Sequence, residues 1–551
     1  MIFYFLLILF SVLATFFTFK NEVVYKNSKK YKLVLLIAFL LIILLRIVKY
    51  GSQMGLNCDE AMGGYNSWCI ANYGVDMHLM KLPVYLIAWG SGMNVLYPLI
   101  SVPVVKLFGL NILSYRFLMV FLSIVSAFVL YNVMMKTVHY SKFNLLFLIV
   151  LYLNPWMIMA NRWALESNLF PILMIFALSS FLMFSNSNSH NLRMFWLIVF
   201  NLCVGLSAYS YSNNWIFLAI FVPLILILLL RNKEISMREF LISIIELLVI
   251  VWPLIAFLYV NYIGHHTLKI FGLTIPLMWG SRASSQMIFG NGTPILQAML
   301  NNFLGTINLL ANGDGSLWNS LPGIGLMFPG VFILAMLGLV LSIKNIKKYS
   351  YLNMFIVVSM ISTIPLFLFV IPNANHMNAV LLPIFYFVAV GIYEISNTKF
   401  IKKFVVVIIT MMLLWFSYGY FVQNASSLAN DSCDEITPIC LGKIFHKVSQ
   451  TKKTVYIVDD HLSTLYAIFE FWNPMNPYTF NKLKSNEPEQ ALTDYSSVGR
   501  WHFVQNTDPS MKDMKNTIFV VIANDSSINL NNLPSSAHKV HNYGTYVEYE
   551  D

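Results

Sequence analysis

The segment GLNCDEAMGGYNSW, residues 55–68, places two adjacent carboxyl groups, Asp59 and Glu60, in the first long connection of a mostly apolar chain. An apolar run at 33–50 ends immediately before it. Further along the same connection, 83–108 is apolar and aromatic but is interrupted by glycines and prolines. That composition is typical of helices that lie along a membrane surface. The segment therefore predicts carboxylates held above interfacial helices, although an acidic pair in a solvated loop is the simpler alternative.

The overall composition indicates a membrane protein. Of the 551 residues, 58% are hydrophobic and 11% are charged, whereas a soluble domain averages about 45–50% apolar and about 25% charged residues. The mean hydropathy is +0.67. Apolar runs near the ~20 residues that span a bilayer begin near Ile2, Leu33, Tyr115, Phe143, Leu169, Phe195, Trp215, Phe240, Ile324, Tyr351, Ala379 and Phe404. The sequence predicts an all-α polytopic bundle of about 12 transmembrane helices, the first of them uncleaved.

The formal net charge of +10 arises largely in short connections between the apolar runs. No basic stripe lies on a polar segment, which argues against nucleic acid as a partner. The basic connections alternate along the chain, at 20–32, 136–142, 186–193, 231–239, 344–350 and 399–403. The positive-inside rule then predicts that both termini, and the loops 51–114 and 264–323, lie on the extracytoplasmic face of the cell membrane.

The tail differs in composition from the rest of the chain. It is rich in Asn, Asp, Ser and Lys, and the strand-like runs TVYIV (454–458) and TIFVVIA (517–523) flank a helical stretch. We predict a transmembrane module at 1–423 and a soluble extracytoplasmic α/β domain at 424–551. Cys433 and Cys440 could form a local disulfide if that domain is exported.

Charged residues also occur at a predicted outer turn, NPWMIMANRWALESN (154–168). Arg162 and Glu166 are four residues apart, so they could form a local ion pair on one helix face. Alternatively, charges at the membrane edge mark a substrate path.

Three further groups could bind an anion on the outer face: Lys81, Arg282 and His376. A lysine near a membrane is usually an interfacial anchor, and a histidine at the end of a span often bonds only to backbone or water. Lys81 and Arg282 nevertheless run against the positive-inside trend, which favours anion binding. No nucleotide-binding, hydrolase or zinc-protease motif occurs.

Four segments resemble, in order, the family C (GT-C) membrane glycosyltransferases, particularly the protein O-mannosyltransferases and the lipid A aminoarabinose transferases. They are DEAMGGYNSWCIANYGVDMHLMKLPVY, LYPLISVPVVKLFGLNILSYRFLMVFLS, NPWMIMANRWALESNLF and GLSAYSYSNNWIFL, which lie within about 50–220. The resemblance implies a GT-C-like bundle whose first outer loop carries the catalytic carboxylate, and a lipid phosphosugar donor.

Residue by residue, the resemblance implies that Asp59 is the catalytic carboxylate and Glu60 its neighbour. Lys81 falls where a loop lysine approaches the donor phosphate, and Arg162 and Glu166 match the second outer-turn motif. After YSY, many relatives carry an arginine, whereas this chain has Ser-Asn-Asn-Trp at 212–215.

That departure puts in doubt how the donor phosphate is bound, so Arg282 or His376 is expected to substitute. No cofactor is required by the sequence, and a divalent metal stays an open alternative because members of this fold differ in metal use.

The expected activity is inverting transfer of a sugar from a polyprenyl-phosphate donor to a surface glycan, teichoic acid, glycolipid or protein, with Asp59 as general base. The alternatives are a transporter or flippase for lipid-linked sugars, a polysaccharide polymerase or ligase, and a non-catalytic receptor. A flippase would account for the spans and the outer cations but not for the acidic pair with interfacial helices in one loop.

Overall fold

The computed structural model describes residues 1–21, 24, 26–88, 91–280, 286–288, 293–344, 350–396, 399–430, 436–459, 465–485, 495–523 and 528–551. In chain order its α-helices are α1 (Ile2–Lys20), α2 (Lys29–Ile47), α3 (Cys58–Tyr73), α4 (Leu96–Phe108), α5 (Ile112–Thr137), α6 (Ser141–Tyr152), α7 (Pro155–Ala160), α8 (Leu169–Asn186), α9 (His190–Ser207), α10 (Trp215–Arg231), α11 (Met237–Tyr259), α12 (Ile295–Asn312), α13 (Val331–Lys344), α14 (Ser350–Ser362), α15 (Ile364–Phe369), α16 (Asn378–Ile395), α17 (Lys399–Tyr418), α18 (Ala425–Asn430), α19 (Cys440–Ser449), α20 (Leu465–Trp472) and α21 (Pro477–Leu483). Its β-strands are β1 (Leu56–Asn57), β2 (Tyr85–Leu86), β3 (Met93–Asn94), β4 (Leu268–Ile270), β5 (Leu273–Ile275), β6 (Ile436–Thr437), β7 (Thr454–Val458), β8 (Ser497–Val498), β9 (Trp501–Val504), β10 (Thr517–Ile522), β11 (His538–Asn542) and β12 (Tyr546–Glu550).

Each apolar run of the sequence coincides with one of these helices. In the described part of the chain, eight helices are both long and apolar enough to cross a membrane. Two more runs form α6 and α13, which are apolar but shorter. The prediction of a multi-pass, all-α membrane protein is confirmed, and the number of spans stays a prediction.

The chain divides into two compact units, of which the first contains most of the apolar helices. It comprises Met1–Val48, Phe117–Ile255 and Arg282–Tyr420. Its central element is α16, which is buried from Asn378 to Ile392 and contacts α6, α8, α13 and α14. A side chain at Gly391 would collide with the backbone of α13, so glycine permits the close approach of these two helices.

The second unit comprises Lys49–Arg116, Ala256–Ser281 and Phe421–Asp551. The tail shares this unit with the first long connection and part of the second, and the domain boundary at 424 stays a prediction. Within the described part of the first connection the structure has two helices, α3 and α4. The segment between them includes a short antiparallel strand pair, β2–β3.

The tail contains a six-stranded mixed sheet in the order β11-β12-β10-β7-β9-β8. Strands β7, β9 and β10 are mutually parallel in their pairings, whereas β8, β11 and β12 pair antiparallel. The two runs predicted as strands are therefore β7 and β10, adjacent in the centre of the sheet, with α20 between them in sequence. Buried apolar side chains such as Phe519 and Met511 pack on one face.

Candidate active site

The acidic pair lies in the first turn of α3. Asn57 is the N-cap, and its side chain accepts a hydrogen bond from the backbone N–H of Asp59 at 2.8 Å. The Glu60 carboxylate accepts from the backbone N–H of Asn57 at 3.3 Å, which completes a capping box. The cap is held in place because β1, containing Asn57, pairs with β6 of the tail. The helix begins here because its first donors are satisfied by these side chains.

Glu60 is fully buried and forms an ion pair with Arg116. The Arg116 Nε donates to Glu60 Oε1 at 2.7 Å, and Nη2 donates to Oε2 at 2.5 Å. The same guanidinium donates to the carbonyl oxygens of Tyr50 at 3.1 Å and Gly55 at 2.6 Å. Two oriented charge-assisted bonds make such a pair specific. Glu60 thus joins α3 to α5, which is a structural role, and the catalytic role expected of it beside Asp59 stays a prediction.

Sequence reasoning missed Arg116, although it left a signal. Arg116 is the fifth residue of α5, a helix apolar enough to cross a membrane. An arginine in such a position is costly unless paired, and its partner is commonly functional.

Asp59 differs from Glu60 in its surroundings. It is half-buried, whereas Glu60 is buried. It lies in the first helical turn, where the partial positive charge of the helix N-terminus stabilises a carboxylate. Of the two carboxyl groups, that of Asp59 belongs to the more exposed residue.

Lys81 is exposed and follows a turn that is fixed by Asp76. The Asp76 Oδ1 accepts from the backbone N–H groups of His78 at 2.9 Å and Met80 at 2.8 Å. Burial raises the pKa of Asp76 to about 7, although these two hydrogen bonds act in the opposite direction. The turn therefore sets the backbone path immediately before Lys81.

The backbone after Lys81 is held by β5. Thr274 donates its N–H to the Leu82 carbonyl at 3.2 Å and accepts from the Val84 N–H at 2.9 Å. The second long connection thus fixes the loop of the first, and Lys81 is an exposed cation on a backbone supported from both sides.

Arg162 is in the other compact unit and is fully buried. Its guanidinium donates to the carbonyl oxygens of Leu45 at 2.9 Å, Arg46 at 3.1 Å and Val48 at 2.7 Å. These are the last carbonyls of α2, so Arg162 caps that helix and neutralises its negative end.

Arg162 and Glu166 do not share a helix face. The short helix α7 ends at Ala160, residues 161–165 form a turn, and Glu166 begins a 3-10 helix. The alternative of an ion pair on one helix face is therefore not what forms, because α7 ends before Arg162.

His376 lies in the same unit as Arg162, just before α16. Its Nδ1 is 2.7 Å from the Ile371 carbonyl oxygen, and its ring stacks on Tyr211 with centroids 6.1 Å apart. Burial lowers the pKa of His376, so its neutral form predominates near pH 7. A neutral ring is a weaker partner for a phosphate than the cation we expected.

The segment after Tyr211, where the sequence differs from the pattern of the family it resembles, forms a 3-10 helix, Ser212–Asn214. Asn213 and Asn214 are buried, and among the described residues neither the Asn213 amide nitrogen nor the Asn214 amide group has a hydrogen-bond partner. Uncharged amides therefore occupy this position in place of an arginine.

Two predictions fall on residues that the structure leaves out. Arg282 and Cys433 lie outside the described residues. Within the described ranges, no group of three or more His, Cys, Asp and Glu side chains could hold a metal ion. The divalent metal stays a prediction.

No protein-family model and no curated protein matches the chain. Among solved structures, ArnT from Cupriavidus metallidurans bound to undecaprenyl phosphate aligns with a TM-score of 0.55 at 12% identity, covering 94% of this chain and 97% of that chain. The same protein in the apo state aligns with a TM-score of 0.54 at 13% identity, covering 95% and 98%. Both alignments run over nearly the whole chain. The protein therefore has the fold of the GT-C glycosyltransferases, as the sequence resemblance predicted.

Proposed function

We propose that the protein is an integral membrane glycosyltransferase that takes its sugar from a polyprenyl-phosphate carrier. The proposal is supported by a fold shared with ArnT, a protein that has been solved with undecaprenyl phosphate bound. At this low identity the likeness supports only the fold. The rest of the proposal rests on residues of the first long connection, 51–114.

The observation that carries the proposal is the contrast between Asp59 and Glu60. The Glu60 charge is neutralised by Arg116 and buried. Asp59 remains half-buried in the first turn of α3, stabilised as a carboxylate by the helix N-terminus. One carboxylate thus builds the helix start, and the other is accessible for proton transfer.

In the proposed reaction, Asp59 takes the proton of an acceptor hydroxyl group as that oxygen attacks the anomeric carbon of the donor sugar. A new glycosidic bond forms, and the bond between the anomeric carbon and the phosphate oxygen breaks. The polyprenyl phosphate leaves with the bonding electron pair. Single attack inverts the anomeric centre.

The departing phosphate gains negative charge, which a nearby cation stabilises. We assign that role first to Lys81, whose loop is held by Asp76 and Thr274. Arg282 stays a candidate for the same role. His376, with its neutral ring, is a weaker candidate.

We further propose that transfer takes place on the extracytoplasmic face, where the positive-inside rule puts the first long connection and the tail. The acceptor is then a surface glycan, teichoic acid, glycolipid or protein. Membrane lipids surround the apolar helices, and nucleic acid is not expected as a partner.

Proteoliposomes that contain the purified full-length chain and a set of polyprenyl-phosphate sugars test the proposal. Release of polyprenyl phosphate, with or without an added acceptor, supports a transferase. Movement of the intact donor across the bilayer without turnover would instead support the flippase alternative. A comparison of surface glycans extracted from cells with and without the protein then narrows down the acceptor.

A further inference from the structure

In the second compact unit, helix α20 of the tail packs against α3. Gly64 makes this approach feasible, since a side chain there would lie 2.6 Å from the ring of Phe471. The Phe471 ring also meets that of Tyr115 edge-on, with centroids 6.4 Å apart. The helix that contains Asp59 is therefore in contact with an element about 400 residues later in sequence.

A buried carboxyl group lies at the centre of this contact. Glu470 is fully buried, and its Oε2 accepts from the Met475 backbone N–H at 3.0 Å. The Tyr65 hydroxyl of α3 donates to the carbonyl of the same residue, Met475, at 2.7 Å. Among the described residues, Glu470 Oε1 has no hydrogen-bond partner.

Among the described residues, no positively charged side chain forms an ion pair with Glu470. The titratable groups that face it from α3 are Tyr65 and Cys69, and burial raises the pKa of both, which keeps them neutral. On α19 and α21, the rings of Phe445 and Phe480 contact Phe469 and Tyr466 of α20, so apolar rings also pack around this helix. Burial consequently raises the pKa of Glu470 to about 8. At neutral pH its carboxyl group is protonated and uncharged.

We propose that Glu470 is a positioning residue: its buried carboxyl group holds Met475, which accepts from Tyr65, and so keeps α20 of the tail against α3, the helix that carries Asp59. Asp59 precedes Tyr65 by six positions, which is about 9 Å along a helix. Only the catalytic consequence of this contact rests on the proposed function.

The pH dependence follows from linkage. The pKa of Glu470 in the closed contact lies above 4.5, the ordinary value of an exposed glutamate carboxyl group. The contact is therefore at its most stable below about pH 4.5, and it weakens as the pH rises to about 8. Above about 8 both the closed and the opened forms are ionised, so the weakening levels off. Opening here means separation of α20 from α3, which exposes Glu470 to water. Between these two pH values, the equilibrium constant for opening rises about tenfold per pH unit.

Hydrogen–deuterium exchange of the full-length protein in nanodiscs, read over 58–73 at pH 6, 7, 8 and 9, tests the proposal without any measurement of transfer. After correction for the intrinsic exchange rate, the opening constant of wild type relative to Glu470→Gln should rise about tenfold from pH 6 to 7. It should rise less from 7 to 8 and level off by 9. The comparison with Glu470→Gln cancels the contribution of Asp76, which also titrates with a raised pKa.

Glu548→Gln is the matched control, because Glu548 is a buried carboxylate of the same sheet domain that pairs with Lys447 at 2.8 Å. It should leave the pH dependence over 58–73 as in wild type. Equal pH slopes for wild type and Glu470→Gln would overturn the proposal.

A second variant, Tyr65→Phe, should raise the opening of 58–73 at every pH, and an unchanged opening would also contradict the proposal. If transfer is observed, Glu470→Gln should keep its turnover up to pH 9, where wild type declines. A wild type without any transfer would refute the proposed function and leave the exchange result standing.

Discussion

Asp59 and Glu60 are adjacent in sequence but differ in burial: Asp59 is half-buried, whereas Glu60 is fully buried and paired with Arg116. Because Asp59 is only half-buried while Glu60 is fully buried in its ion pair with Arg116, Asp59→Asn should remove the general base and leave the fold intact. We expect turnover to fall by about 10²-fold or more, the lower range of general-base catalysis, with an unchanged melting temperature and unchanged binding of a donor analogue. Single-turnover transfer by the purified variant measures this. Near-normal turnover would remove Asp59 from the mechanism.

Lys81 makes a separate prediction, because it is exposed and can serve either as a membrane anchor or as a phosphate ligand. If it binds the donor phosphate, Lys81→Gln should weaken a polyprenyl-phosphate analogue by about 1.5 kcal/mol, roughly tenfold, the lower range for a hydrogen bond to a charged group. Thermal stability should not change.

Lys106→Gln is the control for Lys81, since Lys106 is an exposed lysine of the same unit that bonds to Asn72 at 3.2 Å. It should bind the analogue as wild type does. A stability loss without any loss of affinity for Lys81→Gln would indicate an anchor.

From the sequence, candidate site residues that lie at least partly at the surface are easier to recognise than the contacts of buried residues. Asp59 and Lys81 stand out because they are polar residues in a loop beside apolar segments. Arg116 also stands out, as a charge in an apolar helix, but its role, like the roles of Glu470 and Thr274, depends on which distant segment it meets. A spacing pattern carries no information about such partners.

Helices α3 and α5 are joined by the ion pair of Glu60 and Arg116, and a double-mutant cycle tests its value. Glu60→Gln keeps the shape and the acceptor of the capping box, but leaves the Arg116 charge buried without its partner. Breaking a buried pair in this way costs about 3–5 kcal/mol. Arg116→Met should cost a similar amount, because it leaves the Glu60 charge alone.

The double variant should lose less stability than the sum of the two single variants, since it contains no unpaired buried charge. Thermal unfolding of the purified proteins in detergent measures all four corners of the cycle. Glu60→Gln should also keep turnover per folded molecule, unlike Asp59→Asn. Additive losses of stability would show that the two side chains are not coupled.

At the level of secondary structure, periodicity and composition predict much of what forms. Long apolar runs became helices, and the alternating TVYIV and TIFVVIA runs became the central strands β7 and β10. Periodicity is less informative where tertiary contacts decide the outcome. Residues 161–165 form a turn, so Arg162 and Glu166 do not share a helix face, and Tyr85–Leu86 pairs with Met93–Asn94 as short strands within an apolar segment.

The arrangement of the two compact units could not be read from the chain. The unit that contains Asp59 is assembled from three separated segments, 49–116, 256–281 and 421–551. The sequence shows that the composition changes near 423. It does not show that the tail folds together with segments that lie hundreds of residues earlier in the chain. The pairing of β1 with β6 across almost 380 residues is an instance of such a contact.

The orientation of the whole molecule in the membrane is the last prediction, and it follows from the alternating basic connections. In a cysteine-free background, Asn188→Cys and Ser236→Cys should resist an impermeant thiol reagent in intact cells and react after permeabilisation. Ser510→Cys in the tail should react in both conditions. All three positions are exposed, whereas Ser187 nearby is buried and would resist the reagent on either face. Labelling of 188 or 236 in intact cells would reverse the orientation, and Asp59 and the tail would then face the cytoplasm.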